Sequence, residues 1–524
     1  MTLNNSSLNN NLYKKYLNNR YMVCDLLLIS PFSRAHNRRP PLSLLSLATF
    51  LNSKGINTEI IDEKITSYLP PTQKQHNLLI KRAIMKTESY SPIALGFTCF
   101  SHEVEEIIKL AEVFKKKFPQ IRIIVGGVHA TVKPLDFIYR GSPVDFAVRG
   151  EGEMTLYELV SFLKTGRSNF SYIDGLVYLQ SKAYFTKPRK LIENLDDIPI
   201  IDYSKIDMDF YTKPNIYAIR WILLSNMFIF TSRGCPSQCK FCANKNLWKT
   251  TSSKCLVRFR SIQSVIREIK ILRNKYNIDS IYIYDDNFII KKERVIEFCD
   301  EMINQKIGIL WGCSARVNLI TEGLLIKMKK AGCIQIDFGV ESGSEKSLQI
   351  VKKNINLSQV RKAFRLCRKH NIRALANFMF NFPDEDKEDV KKTIHLVKQI
   401  RPDVSNFAIL TPFPGTDIYE ERSIDFKKKD YTILMDSIDL VRDKRMRFAK
   451  HDIDLAKLVA DCTRRFNSIF YVFNLSILAK YFLHLAKSRR KKEYFIYGLT
   501  TINYYLTNRI PRLLKGKLSP TEKN

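Results

Sequence analysis

The sequence predicts an α/β protein: a flavodoxin-like doubly wound domain over residues 22–165, a partial (β/α)6 barrel over 221–425, and a helical, basic C-terminal region over 426–524. Three observations predict it. Apolar strand-like runs alternate with helix-period segments in both halves. The five strand signals of the first half fit one doubly wound sheet. The six strand–helix units of the second half follow one another without a reversal, which suits an incomplete barrel better than a second flat sheet.

A polar, Asn-rich leader (1–21) without an apolar signal core comes first. Val23 to Ile29 is an apolar run stopped by Ser30-Pro31, and Leu42 to Asn52 reads as a helix ending near Gly55. Further strands are expected at Thr58–Ile61, Ile93–Phe97, Ile121–Val125 and Val144–Val148, the last two breaking at Gly126-Gly127 and Gly150. Val104, Ile107, Ile108, Ala111, Phe114 and Phe118 keep a helical period, and Glu153–Leu163 closes the series as a helix. Buried strands with helices between them imply a parallel sheet covered on both faces, with ligands beyond its strand C-termini. Residues 166–220, turn-rich and partly acidic, read as a connector. Barrel strands are expected at 227–231, 280–284, 308–311, 334–340, 374–380 and 404–410. Between them lie helical patterns such as Ile262, Val265, Ile266, Ile269, Leu272 and Tyr276 on one face.

Composition narrows the class. Of 524 residues, 45% are apolar and 26% charged, which excludes wholesale disorder, a fibrous repeat and a multi-span membrane protein. Eleven cysteines, an odd number in so long a chain, are not a disulfide framework, and the protein reads as cytoplasmic and reduced. Lys and Arg exceed Asp and Glu by 85 to 52, giving +33. Such a field favours nucleic acid, anionic lipid or a phosphorylated substrate, unless it reflects only a Lys-rich background. From Lys480 to Asn524 there are eleven basic and two acidic residues.

The strongest signal is Arg233-Gly234-Cys235-Pro236-Ser237-Gln238-Cys239-Lys240-Phe241-Cys242, directly after the first barrel strand. At this cysteine content such spacing arises by chance in roughly one sequence in 200. Three thiolates so close can bind one metal centre. Structural zinc normally takes four ligands in paired hairpins; Cys255 is an isolated fourth candidate and no second pair exists. Three ligands on a four-iron cluster leave one iron open.

With an aromatic residue before its last cysteine, this motif resembles that of the radical S-adenosylmethionine enzymes. The resemblance implies that Cys235, Cys239 and Cys242 hold a 4Fe–4S cluster whose open iron is chelated by S-adenosylmethionine, the source of a 5′-deoxyadenosyl radical. Phe241 belongs to the same motif. Asp285-Asp286-Asn287-Phe288 offers Asn287 for the methionine amino group, or else an N-cap for a helix near Lys291. Arg316 is either a substrate or carboxylate contact or a surface ion-pair member. Gly339-Val340-Glu341-Ser342-Gly343 looks like the family's ribose-contacting strand end, through Glu341 and Ser342. At Asn381 relatives usually show glycine, which puts a backbone contact to the cofactor in doubt. Thr411-Pro412-Phe413-Pro414-Gly415-Thr416 matches relatives closely.

In the first domain, Gly126-Gly127-Val128-His129-Ala130-Thr131 and Arg149-Gly150-Glu151-Gly152-Glu153 follow strands, and their glycines admit a bulky ligand close to the backbone. Neither fits Gly-x-Gly-x-x-Gly, so no nicotinamide or flavin site is expected. With Pro40-Pro41-Leu42-Ser43-Leu44 and Thr98-Cys99-Phe100-Ser101, they are similar to the cobalamin-binding domains fused to radical S-adenosylmethionine barrels. That implies cobalamin contacts at Thr98, Ser101, Gly126, Gly127, His129, Gly150 and Glu151. The Asp-x-His-x-x-Gly motif that ligates cobalt is absent, His36 lacking its acid and glycine, so no histidine is expected under the metal.

The resemblance, spanning roughly residues 22–420, implies a cobalamin-dependent methyltransferase acting on an unactivated carbon. Some relatives, such as the anaerobic magnesium-protoporphyrin monomethyl ester cyclase, instead oxidise, cyclise or rearrange. RNA modification is a third reading, but only Cys24 and Cys99 stand in the first domain and no RNA-binding module follows the barrel, so nucleic acid is not the expected partner. A small-molecule or lipid-like substrate and a reductant such as flavodoxin or ferredoxin are expected. Phe466 to Ala479, fourteen uncharged residues before Arg489-Arg490-Lys491-Lys492, reads as a core helix closing the barrel or as an interfacial helix giving peripheral membrane contact.

Overall fold

The computed structural model describes residues 24–34, 38–65, 71–216, 218–220, 222–244, 247, 251, 257–422, 431, 434, 443–467, 488 and 490–494. It divides into two compact units, one drawn from 1–37 and 43–189, the other from 38–42 and 190–524.

The first unit is one sheet: β1 (Leu26–Ile29), β2 (Thr58–Ile61), β3 (Ala94–Thr98), β4 (Arg122–Gly126), β5 (Phe146–Val148), β6 (Leu176–Leu179) and β7 (Ala183–Phe185), in the order β2-β1-β3-β4-β5-β6-β7. Its first five strands run parallel in the flavodoxin-like order. The helices are α1 (Leu42–Ser53), α2 (Gln73–Tyr90), α3 (Val104–Lys117), α4 (Val128–Val132) and α5 (Gly152–Lys164). All of β1 is buried because alternate residues serve two faces. Leu26 and Leu28 share a core with Leu44 and Leu51 of α1 and Leu159 of α5, while Phe97 meets Phe114 of α3 on the other face.

Two elements depart from expectation. Helix α2 was not anticipated: it buries only Leu79, Ala83 and Thr87, a stripe too narrow to stand out, and a Thr72–Gln75 capping box starts it. The stretch expected as a connector contains β6 and β7, an antiparallel hairpin added beside β5.

The second unit opens with α6 (Met208–Thr212). Then come β8 (Asn226–Ile229), β9 (Ser232–Arg233), β10 (Arg258–Phe259), α7 (Ile262–Tyr276), β11 (Ser280–Ile283), α8 (Lys292–Asn304), β12 (Leu310–Ala315), α9 (Glu322–Lys330) and β13 (Cys333–Glu341). It continues with α10 (Glu345–Ile350), α11 (Leu357–Lys369), β14 (Arg373–Phe380), α12 (Lys387–Ile400), β15 (Val404–Ile409), α13 (Asp417–Glu421) and α14 (Leu455–Phe466). Six strands pair in parallel in sequential order from β8 through β11 to β15. Among the described residues β8 and β15 do not pair, as in a barrel left open.

The third barrel strand is Leu310–Ala315, later than the expected 308–311. Gly308 (φ +64°) turns the chain into it, and Gly312 within the strand leaves room for Ile219, whose Cδ1 would stand 2.9 Å from a Cβ there. At the C-terminus, Phe466 packs on Phe407 of β15 at 5.9 Å, but most of 466–479 lies outside the described residues. Arg490 donates to Tyr276 O at 2.8 Å and Thr212 Oγ1 at 2.9 Å, so this basic residue serves the barrel itself. Among the described residues no helix is long and apolar enough to cross a membrane.

Candidate cofactor site

Strand β8 leads into the cysteine loop through Thr231 and Ser232. Asp285, beyond the end of β11, accepts from the Thr231 amide at 2.6 Å, the Thr231 hydroxyl at 2.5 Å, the Ser232 amide at 3.1 Å and the Ser232 hydroxyl at 2.6 Å. Burial pushes its carboxyl up, while these donors and Arg294 oppose the shift. Arg294 of α8 also donates to Thr231 Oγ1 and to the Thr231 and Arg260 carbonyls. Asn287 stands at the N-cap position of the short turn 288–290 without a capping hydrogen bond, Lys291 holds that of α8, and Asp285 anchors the approach to the loop.

Gly234 (φ +95°) then turns the chain into the loop. The Cys242 amide donates to the Cys239 carbonyl at 3.1 Å. Lys240 is pinned on both sides: its amide donates to Val351 O at 3.0 Å and its carbonyl accepts from Ile418 N at 3.3 Å. The segment 411–416 thereby seats the loop, since Thr416 caps α13. Desolvation pushes the Cys242 thiol up to about 11 although the residue reaches the surface, and Asp286, Cys239 and Cys235 push the same way. Among the described residues no three His, Cys, Asp or Glu side chains gather closely enough for a single metal ion. Cys255 lies outside the described residues.

Around the loop the structure brings together several expected residues. Glu341 (φ +69°) ends β13 and pairs with Lys353 Nζ at 2.6 Å. Gly339 makes room for this pair, because a Cβ there would stand 2.4 Å from Glu341 Oε1. Lys353 Nζ also stands 5.7 Å over the Phe241 ring. Asn287 is 3% exposed and its Oδ1 has no hydrogen-bond partner, a buried acceptor suited to an ammonium group. Ser342 is fully buried and bonded within the protein. Its hydroxyl meets Thr393 Oγ1 at 3.1 Å and accepts from Ser344 N at 3.0 Å, so it builds the turn.

In the first unit, β3 and β4 end side by side, with Cys99 N donating to Gly126 O at 2.9 Å. Gly127 (φ +93°) admits no side chain: a Cβ would stand 2.8 Å from Thr98 Oγ1 and 3.0 Å from Cys99 N. At Gly126 the nearest atom to such a Cβ is 3.8 Å away, so its bare backbone leaves a cradle that protein packing does not require. Gly150 N donates to Thr131 Oγ1 at 3.1 Å, and Glu151 stands at the N-cap position of α5. His129 is fully buried, with Nδ1 at 2.9 Å from Ser101 Oγ and Nε2 at 2.9 Å from Asp136 Oδ2. His129 and Ser101 thus pair with each other and hold the glycine loop against the end of β3. His36 lies outside the described residues.

Residues 229–397 match the Radical SAM superfamily, and residues 33–160 match the B12 binding domain. Over 411 residues the chain is 31% identical to an uncharacterized methyltransferase of Pyrococcus horikoshii, covering 76% of this chain and 83% of that one. The chain belongs to the cobalamin-binding radical SAM family. It is also 27% identical over 403 residues to the anaerobic magnesium-protoporphyrin IX monomethyl ester cyclase of Rubrivivax gelatinosus, covering 75% of this chain and 69% of that one. The radical S-adenosylmethionine methyltransferase TsrM of Kitasatospora setae, solved with tryptophan substrate and a SAM analogue, shares the fold. The TM-score is 0.66 at 16% identity, over 86% of this chain and 89% of that one.

As a cobalamin-binding radical SAM enzyme, the protein uses a 4Fe–4S cluster, S-adenosylmethionine and cobalamin. Its donor set fits them: soft thiols on one pinned loop, an orphan acceptor at Asn287, and a glycine cradle at Gly126. The residues that sequence reasoning missed are the supports, Asp285 as an anchor, Lys353 and Arg294. Only a polar residue in an apolar context could have signalled them.

Proposed function

We propose that the protein methylates an unactivated carbon of a small-molecule or lipid-like substrate, with Cys235, Cys239 and Cys242 as cluster ligands. The observation that supports this reading is the three-thiol loop, held through Lys240 at both sides, in a chain 31% identical to a methyltransferase. When bound, the cluster supplies an electron, S-adenosylmethionine the radical source and the methyl group, and cobalamin the methyl carrier. Asn287 would accept the ammonium of S-adenosylmethionine, and Glu341, oriented by Lys353, would accept from its ribose. Gly126, Gly127, Gly150, Glu151 and Thr98 would line cobalamin, with Ser101 and His129 holding their loop. Flavodoxin or ferredoxin would serve as reductant. The working site would be the cytoplasm, with peripheral membrane contact through residues 466–524.

Oxidation or ring closure without methyl transfer is a second reading, favoured by the 27% identity to the cyclase. Anaerobic reconstitution separates the two. Methyl transfer predicts 5′-deoxyadenosine together with S-adenosylhomocysteine and a product heavier by one methylene. 5′-Deoxyadenosine with no added methylene supports the second reading. Reconstituted protein that yields no 5′-deoxyadenosine under strong reductant overturns both.

A further inference from the structure

Arg316, just beyond β12, sends one guanidinium nitrogen to within 3.7 Å of Cys239 Sγ. Its other terminal nitrogen donates to the Lys353 carbonyl and to the Asn354 carbonyl at 3.3 Å. Among the described residues it forms no ion pair, so a surface salt bridge does not account for it. The turn that receives it is shaped for the purpose: Lys352 and Asn354 have φ of +53° and +52°, and Lys353 between them turns its side chain to Glu341 and Phe241. Two carbonyls fix the plane of the guanidinium, which leaves one arm of the fork for the sulfur.

We infer that Arg316 is a positioning residue that holds the Cys239 sulfur and raises the reduction potential of the cluster bound there. The inference rests on Cys239 being a cluster ligand. A reduced cluster carries one more negative charge than an oxidised one. A fixed cation that also donates to a ligand sulfur therefore stabilises the reduced form preferentially. Cys239 is buried, so solvent screens this interaction little.

The test is a redox titration, followed by electron paramagnetic resonance, of anaerobically reconstituted full-length wild type and Arg316→Gln. We expect the variant to take up the cluster and to show a reduced-to-oxidised ratio about tenfold lower at the wild-type midpoint, which is 59 mV for one electron. A variant cluster at the wild-type midpoint overturns the inference. Should Arg316→Gln bind no iron, Arg316→Lys, which keeps the charge but not the fork, is titrated instead. A lowered midpoint, or a lost cluster with unchanged melting of the apoprotein, then supports the fork's hold on the sulfur. A wild-type cluster at wild-type potential overturns it. Cys239→Ala reports separately on the ligand reading: if it keeps the full cluster, that reading fails and the inference falls with it.

Discussion

The side-chain amide of Asn381 donates to the carbonyl of Met446 at 2.7 Å, joining the end of β14 to a segment sixty-five positions later. It also donates to Leu410 O at 3.2 Å, and its oxygen accepts from the amides of Phe448 at 2.8 Å and Ala449 at 3.2 Å. The residue sits at φ +77°, where asparagine is among the better-tolerated side chains. It keeps the backbone shape of the glycine expected there and adds a clamp on 446–449. Its own backbone amide is taken by Glu385 Oε2 at 2.6 Å.

Replacing Asn381 by glycine should preserve the turn and release the clamp. Losing several buried hydrogen bonds predicts about 1–3 kcal/mol of destabilisation. The loss should be concentrated in faster amide exchange of residues 443–454. Wild-type protection of that segment in the variant would contradict the clamp.

Gly127→Ala should cost more than an ordinary surface change. A Cβ there meets Thr98 Oγ1 at 2.8 Å on a backbone at φ +93°. Such strain is worth about 1–3 kcal/mol, and relief means moving the loop off β3. Reduced cobalamin retention, read from its visible absorbance after gel filtration, should accompany a lower melting temperature. Gly126→Ala, where the nearest atom is 3.8 Å away, should melt like wild type yet bind cobalamin less well.

Asn287→Ala removes a buried acceptor that no protein group satisfies. Affinity for S-adenosylmethionine should fall by about tenfold to a hundredfold, from about 1.5–3 kcal/mol for a hydrogen bond to a charged group. Stability should hardly change, since no internal bond is lost. Calorimetric titration of the reconstituted protein measures the first and thermal unfolding the second.

Glu385 offers a pH test. Burial pushes its carboxyl from the usual 4.5 up to about 7, with Asp389 and Asp386 adding to the shift. The folded state therefore holds a proton that the unfolded chain has already lost. Its contribution is fully present below 4.5 and declines as pH rises to about 7. His451, at 3.4 Å from Glu385 Oε2, is held below its usual value by burial, which gives the opposite slope in the acid range. Comparison with Glu385→Gln isolates the carboxyl. Denaturant midpoints should fall from about pH 5 to about pH 7 more steeply in wild type than in the variant. Parallel profiles would sink this assignment.

The cysteine loop was legible because its signal is local: three cysteines within eight residues announce themselves whatever surrounds them. The same holds for the glycines at 126, 127 and 150, each placed at the end of an apolar run. Helix α2 was missed because three buried positions in eighteen residues leave little periodic signal. The hairpin of β6 and β7 was missed because β7 is only three residues long, all of them partly or fully exposed.

The sequence by itself determined the parallel strands of both units and singled out the three clustered thiols, because periodicity and short-range spacing are written in neighbouring residues. Only the tertiary structure decided what each polar residue near those donors does. Asp285 reaches back to Thr231, Arg316 across to Cys239, and Asn381 forward to Met446. Each partnership spans more than fifty positions, and a buried polar group takes whichever partner the packed chain brings within hydrogen-bond range.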